Sequence, residues 1–186
     1  MRMTLTSAAI LSALAFPPLI EAAPTAPVRQ GPKAIAPAVN GIGRWVPDVE
    51  FISVKGKRGR LSDFKSGKAL VVAFTGASCP VSKRFAPTLA GLEKAYAKQG
   101  VSFLFVDPIA VKGAREDLAK MARKVGFVGP SVVDEEESLA LGLGARTTTD
   151  VFVLDAARTI LYRGPVDDQY GIGYQLEKPR RHYLRE

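Results

Sequence analysis

Two continuous apolar runs constrain the fold of this chain more than any other feature of its sequence. The runs are ALVVAF at Ala69–Phe74 and VSFLFV at Val101–Val106. Each is apolar at nearly every position, which is typical of a central strand covered on both faces. Between them, apolar residues recur at helical spacing at Phe85, Leu89 and Leu92. This region therefore predicts a strand–helix–strand unit of an α/β fold.

The rest of the chain continues the same alternation. Residues at helical spacing occupy Ala114–Val125. The other predicted elements are a short helix at Glu136–Leu143 and strands at Val49–Val54, Ser131–Val133, Val151–Leu154 and Thr159–Tyr162. Strands that alternate with helices and end in a hairpin predict a single α/β domain, with a central mixed sheet flanked by helices.

The N-terminal residues differ in character from this predicted domain. Residues 1–23 combine a positive start at Arg2, an apolar stretch at Ala8–Phe16 and small residues at Ala22 and Ala23. This is the layout of a cleaved secretory signal, and the apolar stretch is too short to span a bilayer. We therefore expect an exported protein, periplasmic or secreted, that contacts a membrane only through an uncleaved N-terminal segment.

Two further segments flank or end the domain. Residues 24–44 are rich in proline and alanine and show no period, which predicts an extended linker before a domain at 45–186. The tail EKPRRHYLRE predicts a helix that begins after Pro179 and lasts only a couple of turns. Two alternatives stay open here, a short last helix or a domain that is truncated relative to its relatives.

Cys79 is the only cysteine in the chain, so it cannot form an internal disulfide. It follows a predicted buried strand after a tight Gly-Ala-Ser passage and directly precedes Pro80, which suits the first turn of a helix. The N-terminus of a helix lowers the pKa of a thiol, and Lys83, about one turn on, would add to that effect. One interpretation is a reactive thiolate, and the other is a small buried cysteine within a helix.

Three segments of the chain resemble a known family. FTGASCPVSKRFAPTLAGL is similar to the strand, active site and first helix of the thioredoxin superfamily, including Pro87 eight residues after the cysteine. LSDFKSGKALVVAF resembles the lead-in to that site, and DVFVLDAARTILYRGPVDDQYG resembles the closing hairpin. Within the superfamily, the chain resembles the bacterial redoxin group, related to alkyl hydroperoxide reductase and thiol-specific antioxidant (peroxiredoxin-like) proteins. The resemblance runs from about Trp45 to Tyr183 and implies a thioredoxin-like fold with a redox-active cysteine.

Three positions depart from the patterns of that superfamily. Thioredoxin-type reductases use Cys-x-x-Cys, whereas CPVS has Ser82 at the place of the second thiol. Peroxiredoxins have threonine three residues before their cysteine, whereas this chain has Gly76 there and Thr75 one residue earlier. The cis-proline that faces the cysteine in the family corresponds to Thr149 in RTTTDVFVLD. These departures, with only one cysteine in the chain, lead us to expect chemistry by a single thiol.

The predicted function is thiol-dependent oxidoreduction by Cys79 alone. Its thiolate would reduce a peroxide or a disulfide, and an external thiol reductant or a protein disulfide partner would complete the cycle. The residues expected to support the sulfur are Thr75, Pro80, Ser82, Lys83 and Thr149. The alternative is a non-catalytic thioredoxin-like module that binds another protein through the same surface.

Other functional classes have little support in the sequence. The only histidine, His182, lies in the charged tail, so neither a histidine base nor a metal site of soft ligands is expected. No glycine-rich loop has the spacing of a phosphate-binding motif, so we expect no cofactor. The net charge of +8 comes from scattered residues without interleaved aromatics, so we expect no contact with nucleic acid.

Overall fold

The computed structural model describes residues 36–171 and 173–186. The predicted signal at residues 1–23 and residues 24–35 of the predicted linker lie outside the described residues. Among those that are described, no helix is both long enough and apolar enough to cross a membrane. The strands are β1 (Glu50–Ile52), β2 (Arg58–Arg60), β3 (Ala69–Phe74), β4 (Val101–Asp107), β5 (Ser131–Val133), β6 (Val151–Leu154), β7 (Ile160–Gly164), β8 (Tyr170–Gly171) and β9 (Tyr174–Gln175). The α-helices are α1 (Pro80–Tyr96), α2 (Ala114–Val125) and α3 (Ser138–Leu143), and short 3-10 helices cover Leu61–Phe64 and Ala97–Gln99.

The central element is a five-stranded sheet with the order β5-β4-β3-β6-β7. β3 pairs with β4 and β4 with β5 in parallel, whereas β6 runs antiparallel to both β3 and β7. This mixed sheet with flanking helices confirms the predicted α/β thioredoxin-like fold. Its pairing brings the carboxyl ends of β3, β4 and β7 and the amino end of β6 to one end of the sheet, here called the Cys79 end.

The sheet separates two apolar cores, because successive side chains of a strand point to opposite faces. In β3, Val72 and Phe74 join one core, and Val71 and Ala73 join the other. α1 covers the second core with Phe85, Leu89 and Leu92. The continuous apolar run of β3 is thus buried on both sides, and α1 is fixed against the strand that precedes the cysteine.

The C-terminal tail differs from the sequence-based expectation. The helix predicted after Pro179 is wrong: residues 176–186 form bends and one turn. Asp168 Oδ1 accepts the backbone N–H groups of Arg180 and Arg181 at 2.7 and 3.0 Å, and the N–H of Leu184 donates to the carbonyl oxygen of Val166 at 3.1 Å. A helix would have left the N–H groups of Arg180 and Arg181 unpaired in its first turn, whereas the N–H of Leu184 is diverted from an intrahelical bond to Val166.

Residues before β1 pair with one border of the sheet. The N–H of Gly43 donates to the carbonyl oxygen of Ile160 at 2.8 Å. The N–H of Ile160 in turn donates to the carbonyl oxygen of Arg44 at 2.9 Å. Trp45 continues this pairing opposite Thr159. The chain segment 43–46 therefore pairs with residues 158–160, at the start of β7, on the outer side of the sheet.

Candidate active site

Cys79 lies at the junction that the sequence predicted. It is the residue that caps the N-terminus of α1, with extended backbone angles φ −81° and ψ 121°, and Pro80 is the first helical residue. Its carbonyl oxygen accepts the first helical bond, from the N–H of Lys83 at 3.1 Å. The thiol is neither fully buried nor fully exposed. The sulfur is thus held at the positive end of a 17-residue helix while remaining accessible to a reactant.

Two hydroxyl residues join Cys79 to the loop before β6. Thr148 Oγ1 donates a hydrogen bond to Cys79 Sγ at 3.2 Å. Ser82 Oγ, on the first turn of α1, donates to the carbonyl oxygen of Thr148 at 2.7 Å, and Ser82 is only 1% exposed. Cys79, Ser82 and Thr148 therefore form one contiguous cluster, although 66 residues separate Ser82 from Thr148 in the chain.

The pKa of the Cys79 thiol lies below its ordinary value. Partial burial of the sulfur is the largest single influence and opposes this shift, because burial disfavours the charged form. Hydrogen bonds from the hydroxyls of Ser82 and Thr148 and from the backbone N–H groups of Ser82 and Val81 outweigh the burial. The one hydroxyl proton of Ser82 is directed to the Thr148 carbonyl, so it serves the sulfur only after rotating away. Thr148 is therefore the hydroxyl that stabilises the thiolate without rearrangement.

The threonine loop is itself held by a salt bridge. Asp150 Oδ2 accepts from the guanidinium of Arg163 at 2.9 Å and from the N–H of Arg146 at 2.9 Å, and Asp150 Oδ1 accepts from the hydroxyl of Thr147 at 2.9 Å. The side chains of Arg163 and Asp150 are only 8% and 16% exposed. The pair thus ties the loop that carries Thr148 to the neighbouring strand β7.

A buried carboxyl group supports the other side of the site. Asp107, at the end of β4, is 1% exposed and accepts the N–H of Ala77 at 2.8 Å and the N–H of Ile109 at 3.0 Å. Burial raises the pKa of Asp107, and the two backbone bonds only partly offset that effect. A Cβ at Gly76 would lie 3.3 Å from Asp107 Oδ1 and 3.5 Å from Cys79 Cβ. The carboxyl group and the cysteine therefore border the same narrow space beside Gly76.

The structure brings together only some of the residues predicted to support the sulfur. Pro80 and Ser82 lie in the first turn of α1 beside Cys79, and Lys83 is exposed on that turn. Thr75 is fully buried, and its hydroxyl has no hydrogen-bond partner within the described part of the chain. The hydroxyl of Thr149 lies 3.4 Å from that of Thr147 rather than on the sulfur.

Sequence reasoning missed Thr148 and Asp107. The sequence signal for Thr148 was the run of three consecutive threonines before β6, because any one of the three could have faced the cysteine. The signal for the second was an aspartate that directly ends an apolar strand. A carboxylate at that place needs hydrogen-bond donors, and the loop beside the cysteine supplies them.

Replacement of Thr148 with valine is expected to raise the pKa of Cys79 by about one unit, because a hydrogen bond to a charged group contributes about 1.5 kcal/mol or more. The loss of a donor destabilises the thiolate, so the reaction of Cys79 with iodoacetamide shifts to higher pH. The measurement is the rate of alkylation from pH 4 to 10. Thr88→Val, the same chemical change further along α1, is the matched control, and an unchanged midpoint in Thr148→Val would contradict the assignment.

Comparison with known proteins places this site in a family context. The family model described as Redoxin matches residues 42–175. A protein from Geobacillus thermodenitrificans named thiol-disulfide oxidoreductase ResA is 31% identical over 116 residues, which are 61% of this chain and 63% of the relative. The chain thus spans less than two thirds of the length of this curated relative.

Solved structures share the architecture. A hypothetical protein from Sinorhizobium meliloti has a TM-score of 0.67 and 26% identity, over 79% of this chain and 80% of that one. Peroxidoxin BcpB from Mycobacterium tuberculosis has a TM-score of 0.59 and 22% identity, over 71% of this chain and 88% of that one, and the similarity to it shows the fold alone.

Proposed function

Because this chain belongs to the redoxin family of the thioredoxin superfamily, we propose that it is a one-cysteine thiol–disulfide oxidoreductase. The observation that carries the proposal is the hydrogen bond from Thr148 Oγ1 to Cys79 Sγ at the N-terminus of α1. That arrangement stabilises a thiolate, and the thiolate is the nucleophile of disulfide exchange.

The proposed reaction has two exchange steps at Cys79. The Cys79 thiolate attacks one sulfur of a disulfide in a partner, a new S–S bond forms between them, and the other partner sulfur leaves as a thiolate. A thiolate of an external dithiol reductant then attacks the partner sulfur of the mixed disulfide, an S–S bond forms between reductant and partner, and Cys79 leaves as a thiolate. The second thiol of the reductant closes its own disulfide and releases the partner as a dithiol. The external dithiol provides the electrons, because Cys79 has no second cysteine in the chain with which to form an internal disulfide.

Disulfide exchange agrees better with this site than peroxide reduction. The relative at 31% identity is a thiol-disulfide oxidoreductase by name. The hydroxyl of Thr75, the nearest counterpart of the peroxiredoxin threonine, is fully buried and does not face a reactant at the surface. The donors beside the sulfur are instead Thr148 and the backbone of the first turn of α1. The predicted secretory signal would place this activity in an oxidising compartment, where disulfide substrates persist.

The test has two parts. Alkylation of Cys79 by iodoacetamide is measured from pH 4 to 10 in folded and denatured protein, and exchange is measured with a peptide mixed disulfide that releases thionitrobenzoate. We expect a lower midpoint in the folded protein, stoichiometric release of thionitrobenzoate, and no release by the Cys79→Ser variant. A thiol that reacts only after unfolding would overturn the proposal and favour the non-catalytic binding module.

A further inference from the structure

We propose that the surface around Cys79 binds a protein thiol or disulfide that is flanked by carboxylates. The proposal concerns the partner of Cys79 and therefore rests on the proposed function. It follows from the distribution of charge at the Cys79 end of the sheet, where the exposed charges next to the cysteine are cationic.

Three segments surround the cysteine at this end. They are residues 76–84, which contain Cys79; residues 108–113, which follow β4; and residues 144–149, which contain Thr148. Contacts already described link them, because Thr148 donates to Sγ and Asp107 holds both Ala77 and Ile109. None of these three segments contains an aspartate or a glutamate.

Each segment carries at least one exposed cation. Lys83 lies on the first turn of α1, and its N–H donates to the carbonyl oxygen of Cys79 at 3.1 Å. Arg146 lies two residues before Thr148, and Lys112 lies three residues after Ile109. Among the described residues, none of these three cations is in a salt bridge, whereas Arg84 is directed to Gln175 and the ring of Tyr170.

The carboxylates that border the segments of Cys79 and Thr148 are buried or held by hydrogen bonds and a salt bridge. Asp107 is buried and bonded to two backbone N–H groups, and Asp150 is paired with Arg163. Asp167 is 3% exposed and accepts the N–H of Gln169, and Asp168 binds the backbone of the tail. They are therefore not positioned to neutralise Lys83 and Arg146 at the surface, whereas Lys112 lines the same cavity as the exposed Glu116.

These cations are not needed to activate the sulfur. The influences that lower the pKa of Cys79 are hydroxyl and backbone donors, which the fold supplies from within. A carboxylate on a partner could therefore form salt bridges with these cations. It would not compete with the thiolate for its hydrogen-bond donors. Complementary charge of this kind selects partners and speeds their encounter.

A macromolecular partner agrees better with the surface than a small ligand does. The cavity of about 560 Å³ is lined by residues of β1, β2, β5 and α3, and the cavity of about 320 Å³ by residues 110–116, Val133 and Glu135. Cys79 lines neither of them. The sulfur lies instead between the surface segments that carry Lys83 and Arg146, where a segment of another protein can approach it.

The experiment uses three peptides that differ only in the residues that flank a single cysteine: glutamate, glutamine or lysine. Each is prepared as a mixed disulfide with thionitrobenzoate. Cys79 attacks the peptide sulfur, the S–S bond to thionitrobenzoate breaks, and the thionitrobenzoate thiolate leaves with the bonding electrons and absorbs visible light. At low ionic strength we expect the glutamate peptide to react about tenfold faster than the lysine peptide, with a ratio that falls as salt screens the charges.

Charge-reversal variants locate the preference. In the Lys83→Glu/Arg146→Glu double variant, we expect the ratio of the glutamate to the lysine rate to fall to one or below. The control is Lys65→Glu/Lys98→Glu, an equal change of net charge at exposed positions away from the Cys79 end, and we expect it to keep the wild-type ratio. Circular dichroism of both variants verifies that they are folded.

Each other outcome has a defined meaning. Equal rates for the three peptides, or an equal ratio in the two double variants, would overturn the proposed surface while leaving the thiol chemistry intact. A preference for small anionic over small cationic disulfides without any preference among the peptides would overturn a protein partner in favour of a small one. Absence of reaction with all three peptides would instead refute the proposed function itself.

Discussion

Replacement of Ser82 with cysteine is expected to convert this protein into a dithiol oxidoreductase. Position 82 is three residues after Cys79 on the first turn of α1, and its side chain is buried beside the Cys79 and Thr148 cluster. The second thiol would resolve a mixed disulfide from within the molecule, and positioned intramolecular groups react far faster than external ones. We expect catalysed reduction of an insulin disulfide by dithiothreitol to rise by at least about a hundredfold over the wild type.

The thiol count gives an independent measurement for this variant. Mild oxidation of Ser82→Cys should reduce the number of titratable thiols from two to none, while the mass of the protein shows that no dimer has formed. The matched control is Ser78→Cys, which adds a thiol to the same loop directly next to Cys79 instead of one helical turn away. Two persistent free thiols in Ser82→Cys, or equal gains in both variants, would show that Ser82 does not occupy the resolving position.

Replacement of Arg163 with methionine is expected to destabilise the fold by about 3 kcal/mol, because it leaves the largely buried Asp150 carboxylate without its partner. Methionine keeps an apolar chain of similar length over the ring of Phe152, which the guanidinium now covers at 5.2 Å. The same change should raise the pKa of Cys79, since the loop that positions Thr148 loses its anchor. Urea unfolding measures the first effect, and alkylation as a function of pH measures the second.

Arg60→Met is the control for this prediction. Arg60 pairs with Asp48 and Glu50, but its side chain is 51% exposed, so its loss should cost less than about 1 kcal/mol. The double variant Arg163→Met/Thr148→Val tests whether Arg163 affects the pKa of Cys79 by positioning Thr148 or only through the stability of the fold. If Arg163 acts on the sulfur through Thr148, the double variant has the same pKa for Cys79 as Thr148→Val alone; a further rise would refute that route.

The fold was predictable where local pattern and burial agree. Burial of both faces of β3 and β4 produces their apolar runs, and burial of one face of α1 produces its helical spacing. Neighbouring residues are therefore enough to predict these elements. The C-terminal tail was not predictable in this way. Its backbone conformation depends on Asp168 and Val166, and the N–H groups bonded to their oxygens lie more than ten residues away in sequence.

The candidate site likewise has a part that could be predicted from the sequence and a part that could not. Cys79 and Ser82 belong to one strand–turn–helix segment, so their proximity follows from the helical turn that joins them. The conformation of the loop before β6 determines which threonine contacts the sulfur. Asp150 holds that loop by pairing with Arg163, a residue of β7. Asp107 acts on a loop 30 residues earlier in the chain. Residues that meet only through the sheet leave no periodic signal in the sequence.

The pairing of residues 43–46 at the start of β7 has a consequence for self-association. Outer strands of a sheet present free N–H and C=O groups on which a second copy can add a strand, the first step of edge-to-edge aggregation. Here the chain occupies part of both borders itself: Gly43 and Arg44 bond Ile160 on one side, and the N–H of Val54 donates to Ser131 on the other at 2.8 Å. The partly exposed Cys79 therefore lies at one end of the sheet, whereas part of each of the two side borders is already paired within the chain and is closed to a strand from a second copy.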